Sequence, residues 1–252
     1  MINKSQKMLF YRVTGNGHPV IFLHGFLESS KMWEFMDLPD SIKKFLIDLP
    51  GHGNSFDAIE SSTMKSISDN VLVIINYHKI QNYSIVGHSM GGYVGLELMK
   101  HDQNCNKLIL LNSNFWEDSS NKVKNRHRIA NVVRTNKFRF INETIPNLFL
   151  DPNKYADQVK LLVKDANSMD SYNIGNISIA ISKRKNNKKT LLDKLNRILI
   201  IQGESDIIIP KVEMDKNLKD ISANYVVIKN TRHMSHIESS NKIKELILSF
   251  IH

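Results

Sequence analysis

The five residues Gly87-His88-Ser89-Met90-Gly91 constrain the fold most, because they stand at the junction of two different patterns. Residues 83–86 are mostly apolar and predict a short buried strand, whereas residues 91–101 predict a helix. A G-x-S-x-G sequence at such a junction is typical of a sharp turn, whose small residues let the chain reverse and raise the serine hydroxyl above the sheet edge. The same five residues could also form an ordinary glycine-rich turn. The strand before them and the helix after them favour Ser89 as a nucleophile.

Short apolar segments alternate with longer amphipathic stretches along most of the chain. The expected strands are residues 9–13, 20–23, 45–48, 83–86, 107–111, 198–201 and 224–228. The expected helices are residues 66–78, 91–101 and 239–251. This alternation predicts the α/β class, with a mostly parallel central sheet flanked by helices.

The alternation stops between residues 112 and 196, where the sequence predicts several helices rich in Asn, Lys and Arg. A long excursion at this point of the topology is typical of a lid over an active site, although ordinary packing helices are the alternative. We therefore divide the chain into an α/β core, residues 1–111 and 197–252, and an inserted helical lid, residues 112–196.

A serine hydroxyl is a weak nucleophile at neutral pH, so a base must take its proton and an acid must orient that base. Asp206 follows the strand predicted at residues 198–201, at the edge where open α/β sheets build their sites. Glu204 is the competing carboxylate, but it follows the strand so closely that its side chain is expected to point away. Asp206 is therefore the predicted acid.

Two histidines compete as the base, since His233 and His236 both lie between the strand at residues 224–228 and the last helix. We favour His233, which is nearer the end of the strand. His236, together with Glu238, is expected to support the base or to cap the terminal helix.

An acyl-transfer site also needs backbone N–H groups aimed at the oxyanion. Met90 follows the nucleophile and is one predicted donor. Phe26, in the run His24-Gly25-Phe26 after the strand at residues 20–23, is the other. His24 itself is expected to brace that loop, and it is also a candidate contact for the substrate.

Five motifs in this order resemble the α/β-hydrolase superfamily over nearly the whole chain. They are Leu23-His24-Gly25-Phe26, Asp48-Leu49-Pro50-Gly51-His52-Gly53-Asn54-Ser55, Val86-Gly87-His88-Ser89-Met90-Gly91-Gly92, Gly203-Glu204-Ser205-Asp206 and His233-Met234-Ser235-His236-Ile237-Glu238. The resemblance implies the α/β-hydrolase fold with a triad in the order Ser89, Asp206, His233. In family members the histidine commonly follows a glycine, and here Arg232 stands in that position.

The resemblance also limits the reaction. A serine at the turn argues against haloalkane dehalogenases and epoxide hydrolases of this fold, which need a carboxylate nucleophile. The leading hypothesis is a serine hydrolase that cleaves a small ester-like or thioester-like substrate through an acyl-serine intermediate. The alternatives are a C–C hydrolase, a lyase similar to the menaquinone-pathway synthase, in which His233 would remove a carbon-bound proton, and a ligand-sensing signalling protein on the same fold.

Residues of the expected lid bear on the choice among these hypotheses. Its aromatic side chains could supply an apolar wall for the pocket, and they are Phe115, Trp116, Phe138, Phe140 and Phe149. The menaquinone-pathway synthases that the lyase alternative resembles hold a polycarboxylate with cationic side chains. Arg126, Arg128 and Arg134 are therefore candidates for binding a carboxylate. Solvated helix faces are the competing interpretation of these arginines. Trp116, Arg126 and Arg128 are the candidate substrate contacts.

Charge and composition limit the partners. The formal net charge is +9, but the densest basic run, residues 183–189, has no interleaved aromatics on which nucleic-acid bases could stack. Residues 1–10 lack the apolar stretch of a secretory signal, and no apolar run reaches the roughly 20 residues that span a bilayer. Cys105 is the single cysteine and is expected to be a small buried hydrophobe. We expect a cytoplasmic enzyme with a small-molecule substrate, without cofactor, metal, nucleic acid or membrane partner.

Overall fold

A computed structural model of the chain describes residues 8–56 and 62–252. In this part of the chain one seven-stranded sheet has the order β1-β3-β2-β4-β5-β6-β7. Its strands are β1 (Tyr11–Thr14), β2 (His18–Leu23), β3 (Ile42–Ile47), β4 (Tyr83–His88), β5 (Cys105–Leu111), β6 (Ile198–Gly203) and β7 (Asn224–Ile228). Among the described strands, only β1 pairs antiparallel, with β3, and each of the other pairings is parallel. The predicted mostly parallel sheet is confirmed.

Helices follow or separate most of these strands. They are α1 (Met64–Tyr77), α2 (Met90–His101), α3 (Ser120–Asn147), α4 (Ala156–Ser168), α5 (Ser171–Ser182), α6 (Lys188–Asp193), α7 (Lys211–Leu218), α8 (Ser235–Glu238) and α9 (Ser240–Ile251). Short 3-10 helices cover Ser30–Phe35 and Leu195–Arg197. Among the described helices, none combines the length and apolar composition that crossing a bilayer requires.

The hydrophobic core lies on both faces of the sheet. Side chains of a strand alternate between faces, so Ile21 and Leu23 of β2 pack in one apolar cluster while Val20 and Phe22 pack in the other. All four are fully buried. Burial on both faces explains why the central strands are continuous apolar runs rather than alternating ones.

The structure shifts or extends several of the predicted strands. The edge strand expected at residues 9–13 is Tyr11–Thr14, and the strand expected at 45–48 begins at Ile42. This strand begins earlier than expected because the charged Lys44 lies inside it. The Lys44 ammonium donates to the carbonyl oxygens of Leu38 and Pro39. Of the segment judged for a secretory signal, residues 1–7 lie outside the described residues.

Four helices, α3 to α6, occupy the chain between β5 and β6. The longest, α3, is kinked at Asn136, whose φ of −135° and ψ of 42° are not helical. It is capped at its start by the hydroxyl of Ser119, which accepts from the Lys122 N–H. It packs against α4 and α5. That these helices form a lid distinct from the core remains a prediction.

Candidate active site

The loops after five parallel strands carry the predicted site residues. Since β2, β4, β5, β6 and β7 run in the same direction, their carboxyl ends meet at one edge of the sheet. Ser89 follows β4, Asp206 follows β6 by three residues, and His233 follows β7 by five. This is the edge at which open α/β sheets bind ligands.

Ser89 stands in a strained turn between β4 and α2. Its φ of 49° and ψ of −113° lie in a region that residues with a side chain rarely adopt. The turn is held by the Ser89 N–H, which donates to the Leu111 carbonyl over 3.0 Å. It also depends on Gly91, where a Cβ would lie 2.2 Å from the Leu23 carbonyl oxygen. The surrounding backbone therefore forces the serine into this conformation.

His233 lies between the serine and the aspartate. Its Nδ1 is 2.9 Å from Asp206 Oδ2, and its Nε2 is 3.0 Å from Ser89 Oγ. A carboxylate only accepts, so Nδ1 carries the ring proton and donates it, which leaves Nε2 to accept from the Ser89 hydroxyl. This tautomer is the one that can take a proton from the serine.

Asp206 is buried, and protein groups donate hydrogen bonds to both of its carboxylate oxygens. Its Oδ1 accepts from the N–H groups of Ile208 and Ile209, at 2.8 and 3.0 Å. Its Oδ2 accepts from His233 and, over 2.9 Å, from the side-chain amide of Asn112. Burial by itself would raise the pKa of the Asp206 carboxyl, but His233 and these donors outweigh it and lower the pKa. The acid therefore stays ionised beside the base.

The residues next to Ser89 offer two backbone donors. Among the described turns, loops and helix caps, the N–H groups of Phe26 and Met90 donate to no backbone carbonyl. His24 controls the first of them. Its Nε2 accepts from the Leu49 N–H over 2.9 Å, so its Nδ1 is protonated and donates to the Gly25 carbonyl at 2.8 Å. In a trans peptide the Phe26 N–H must then point away from His24.

The competing acid and base lie elsewhere. His236 is fully buried, and neither ring nitrogen has a hydrogen-bond partner among the described residues. Glu204 is exposed and accepts from the Asn230 N–H at 3.4 Å. The structure therefore brings His233 and Asp206 to Ser89, and neither His236 nor Glu204.

The loop that carries His233 is tied to the end of α3. The His233 N–H donates to the Leu148 carbonyl over 3.0 Å. Arg232, which stands where a glycine is common, donates from its guanidinium to the Phe149 carbonyl over 3.2 Å. Glu238 accepts from the N–H groups of Leu150 and Arg232. The chain just after α3 therefore contacts the loop of the base through the His233 N–H and through the side chains of Arg232 and Glu238.

A cavity of about 100 Å³ opens beside the serine, and Ser89 and His233 line it. Most of its wall is apolar and includes Phe26, Met90, Ile129, Phe140, Ile181 and Ile208. This volume is below the roughly 300–1,000 Å³ of typical ligand pockets. The cavity therefore has room for a small, mainly apolar group.

Arg126 brings a positive charge to this cavity. Its Nε donates to Asp118 Oδ2 over 3.3 Å, and its side chain is 18% exposed. Asp118 is paired more closely with Arg184, at 2.8 Å, and Arg184 is stacked on the ring of Tyr93. Burial would raise the pKa of Asp118, but Arg184 and Arg126 outweigh it and lower the pKa. Two guanidinium groups thus share the carboxylate of Asp118, and one of them, Arg126, lines the cavity.

The other candidate substrate contacts do not line this cavity. Arg128 is exposed and donates to Asn125 on its own helix. Trp116 lines a separate small cleft, and His24 is fully buried under the Gly25 carbonyl. Arg134, also considered for a carboxylate, is exposed and lies over the ring of Tyr172. None of these four side chains lines the cavity beside Ser89, and the exposed positions of Arg128 and Arg134 agree with the interpretation of solvated helix faces.

The expected aromatic wall is reduced to Phe140. Phe138 is 70% exposed, whereas Phe115 and Phe149 are buried in the two apolar clusters. Cys105 is buried too, as expected, and burial raises the pKa of its thiol. No group of three or more His, Cys, Asp or Glu side chains in the described ranges could hold a metal ion.

A larger groove, of about 330 Å³, lies on a different part of the surface. It runs between the 3-10 helix Ser30–Phe35 and α4, and an ion pair of Lys31 with Asp165 crosses it. Neither Ser89, Asp206 nor His233 lines it, so the chemistry of the site belongs to the smaller cavity.

Comparisons with known proteins agree with this architecture. The acetyltransferase component of the acetoin cleaving system of Pseudomonas putida is 25% identical over 243 residues, 93% of this chain and 64% of that protein. The chain thus spans less than two thirds of that relative. A putative 2-succinyl-6-hydroxy-2,4-cyclohexadiene-1-carboxylate synthase of Bacillus subtilis is 22% identical over 92% of this chain and 89% of its own length.

Among solved structures, a thermophilic esterase from Thermogutta terrifontis matches with a TM-score of 0.86 at 25% identity, covering 96% of this chain and 92% of that chain. The family model described as alpha/beta hydrolase fold matches residues 18–240. That match covers most of the chain, from β2 to the start of α9. The chain therefore belongs to the alpha/beta hydrolase fold family.

Proposed function

We propose that this protein is a serine hydrolase that cleaves a small ester-like or thioester-like substrate through an acyl-serine intermediate. The observation that carries the proposal is the continuous hydrogen-bonded chain from Asp206 through His233 to Ser89. Such a chain activates a hydroxyl that would otherwise be a weak nucleophile.

In the proposed reaction, Ser89 Oγ attacks the substrate carbonyl while its proton passes to His233 Nε2. The Phe26 and Met90 N–H groups stabilise the oxyanion that forms. His233 then gives the proton to the leaving alkoxide or thiolate, which leaves an acyl-serine. Water, deprotonated by His233, then attacks the acyl-serine; the bond to Ser89 Oγ breaks, His233 returns the proton to that oxygen, and the acid leaves. Asp206 holds the imidazole in its tautomer throughout.

The size and lining of the cavity support a small acyl group. A volume of about 100 Å³ with mostly apolar walls excludes a peptide or a long chain in this conformation. The helices α3 to α6 act in this proposal as a lid, since α3 supplies Arg126, Ile129, Phe140 and Thr144 to the wall. The proposed triad supplies nucleophile, base and acid from the chain itself, so this proposal needs no cofactor.

A carboxylate-bearing substrate is the second candidate, and Arg126 favours it. Arg126 lines the cavity and shares Asp118 with Arg184. The relative from Bacillus subtilis is described as a synthase that makes a carboxylate product. In a reaction of that kind, His233 would remove a carbon-bound proton, and no acyl-serine would form.

Labelling with a fluorophosphonate tests the proposal directly, because the reagent bonds to an activated serine. We expect the wild-type protein to be labelled at Ser89 and Ser89→Ala to be unlabelled. Ser68→Ala is the matched control, since Ser68 is a buried serine on α1 that donates to the Lys65 carbonyl. A panel of short-chain esters and thioesters should then show turnover that Ser89→Ala lacks. Labelling without turnover of any ester would favour the second candidate, and no labelling of the folded wild type would refute the nucleophile.

A further inference from the structure

Glu28, which lines the cavity beside Ser89, forms a buried pair with His88. Both side chains are almost inaccessible, at 4% and 0% exposure. Glu28 Oε2 lies 2.9 Å from His88 Nδ1. Neither side chain has a role in the proposed reaction, although His88 adjoins Ser89 in the chain and Glu28 follows Phe26 by two residues.

Each member of the pair holds a different functional loop. Glu28 Oε2 accepts from the Gly25 N–H at 2.5 Å, one residue before the predicted oxyanion donor Phe26. His88 Nε2 lies 2.9 Å from the carbonyl oxygen of His233. The three contacts form one path from the oxyanion loop to the backbone of the base.

The hydrogen-bond partners define the protonation of His88. Nε2 faces a carbonyl and Nδ1 faces a carboxyl oxygen that already accepts from Gly25, so both ring nitrogens are in position to donate. Only the doubly protonated ring donates from both. Burial would lower the pKa of His88, but Glu28 outweighs it and raises the pKa, while the pKa of Glu28 falls to about 2 against the effect of its own burial.

The groups around His88 fit a charged ring. His236 lies 4.8 Å away between ring centroids and His233 lies 5.0 Å away. Burial and the charge of His88 lower the pKa of His236, so that neighbour is neutral. The pair also packs tightly against Gly25, since a Cβ on Gly25 would lie 2.6 Å from Glu28 Oε2 and 2.9 Å from His88 Nδ1.

We propose that Glu28 and His88 are positioning residues that act as one unit, holding the loop of the oxyanion donor Phe26 at a fixed distance from the loop of the base His233. The inference rests on the proposed function for its catalytic consequence and on the three contacts for its geometry. Charge-assisted hydrogen bonds are shorter and stronger than neutral ones, which suits a pair that must hold two loops in register.

The first test measures the wild-type protein alone. Long-range spectra of protein labelled with ¹⁵N-histidine report whether each ring nitrogen carries a proton. At neutral pH we expect His88 to be protonated on both nitrogens and to become a single neutral tautomer in Glu28→Gln. A neutral His88 in the wild type would overturn the proposal, whether or not the protein is an enzyme.

The second test measures the reaction of Ser89 with a fluorophosphonate in folded Glu28→Ala and Glu28→Gln. Loss of hydrogen bonds to charged groups predicts a maximal labelling rate about 10- to 100-fold lower in Glu28→Ala, with an unchanged half-saturating probe concentration. Glu28→Gln, which retains the shape, should show a smaller loss. Glu97→Gln is the control, because Glu97 is a buried carboxylate of α2 that accepts from Asn187. An unchanged rate in Glu28→Ala, or an equal loss in Glu97→Gln, would overturn the proposal.

The two proposals can fail separately. If the folded wild type is not labelled at all, the proposed hydrolase function fails, and the positioning role is then judged by spectra. Glu28→Gln should shift the Phe26 amide and His233 ring resonances, and Glu97→Gln should leave both in place. Unshifted resonances in Glu28→Gln would refute the link between the two loops.

Discussion

The side-chain amide of Asn112 donates to Asp206 Oδ2, the same oxygen that accepts from His233. The amide donates also to the Arg232 carbonyl over 3.0 Å, and its oxygen accepts from the Ser235 hydroxyl. One residue at the end of β5 therefore joins the acid to the loop that carries the base. Its backbone φ of 45° is left-handed, which asparagine tolerates better than most residues.

Replacing Asn112 with glycine should lower both stability and turnover. Glycine accepts the left-handed backbone, so the variant removes the side-chain hydrogen bonds without adding strain. We expect the free energy of unfolding to fall by about 1–3 kcal/mol, and ester turnover to fall by about tenfold or more. Urea denaturation and initial rates measure the two effects. Asn230→Gly is the control at an exposed left-handed asparagine, and equal losses in both variants would contradict the role given to Asn112.

The two candidate bases should differ sharply. His233→Ala removes the contact to Ser89, so we expect fluorophosphonate labelling and turnover to drop by roughly 10⁴-fold or more. His236→Leu removes a ring whose nitrogens have no partner among the described residues, so its rate should stay within about threefold of the wild type. Measured rates in the opposite order would assign the base to His236.

Arg126 should discriminate between substrates by charge. In Arg126→Gln, kcat/KM for an ester with a terminal carboxylate should fall about 10- to 100-fold, because a hydrogen-bonded ion pair is lost. A neutral ester of the same length should lose little. Arg128→Gln, an exposed arginine of the same helix, should affect neither ester. Equal losses on both esters in Arg126→Gln would remove the support for a carboxylate-bearing substrate.

Acid should destabilise the wild type more steeply than Glu28→Gln. The pKa of Glu28 in the folded protein is depressed from 4.5 to about 2. Its contribution is therefore complete above about pH 4.5 and is lost as the pH falls towards 2. The pKa of His88 is raised, so the interaction of His88 with Glu28 weakens when the pH rises above the pKa that His88 has in the folded protein. Urea midpoints of both proteins on either side of pH 4.5 measure the difference, and parallel curves would contradict it.

Much of the sheet could be predicted because its strands are buried on both faces. The strand at residues 224–228 was predicted with its observed bounds, and α2 differs by one residue at its start. The helix α7 and the 3-10 helix Ser30–Phe35 were missed. Both are short and carry mixed polar and apolar residues, so neither shows a helical spacing of apolar residues long enough to be recognised in the sequence. Tertiary packing, rather than local pattern, determines such segments.

The arginines of α3 show a different limit. Arg126 and Arg128 are two residues apart, and positions with that spacing lie on nearly opposite sides of a helix. The two side chains cannot both line one cavity, and of the two it is Arg126 that lines the cavity beside Ser89. Asn112 and Glu28 were not singled out because their partners, Asp206 and His88, are 94 and 60 residues away. Contacts at that separation leave no periodic or motif signal.

The strained backbone at Ser89 has a consequence for anyone who evolves this protein for heat resistance. Left-handed torsions with a side chain attached cost roughly 1–3 kcal/mol, and glycine would relieve that cost at this position. A selection that scores only survival of the folded chain would therefore reward loss of the serine itself. Thermal tolerance and chemistry are opposed at this one residue, so a screen for robust variants must read out turnover from its first round.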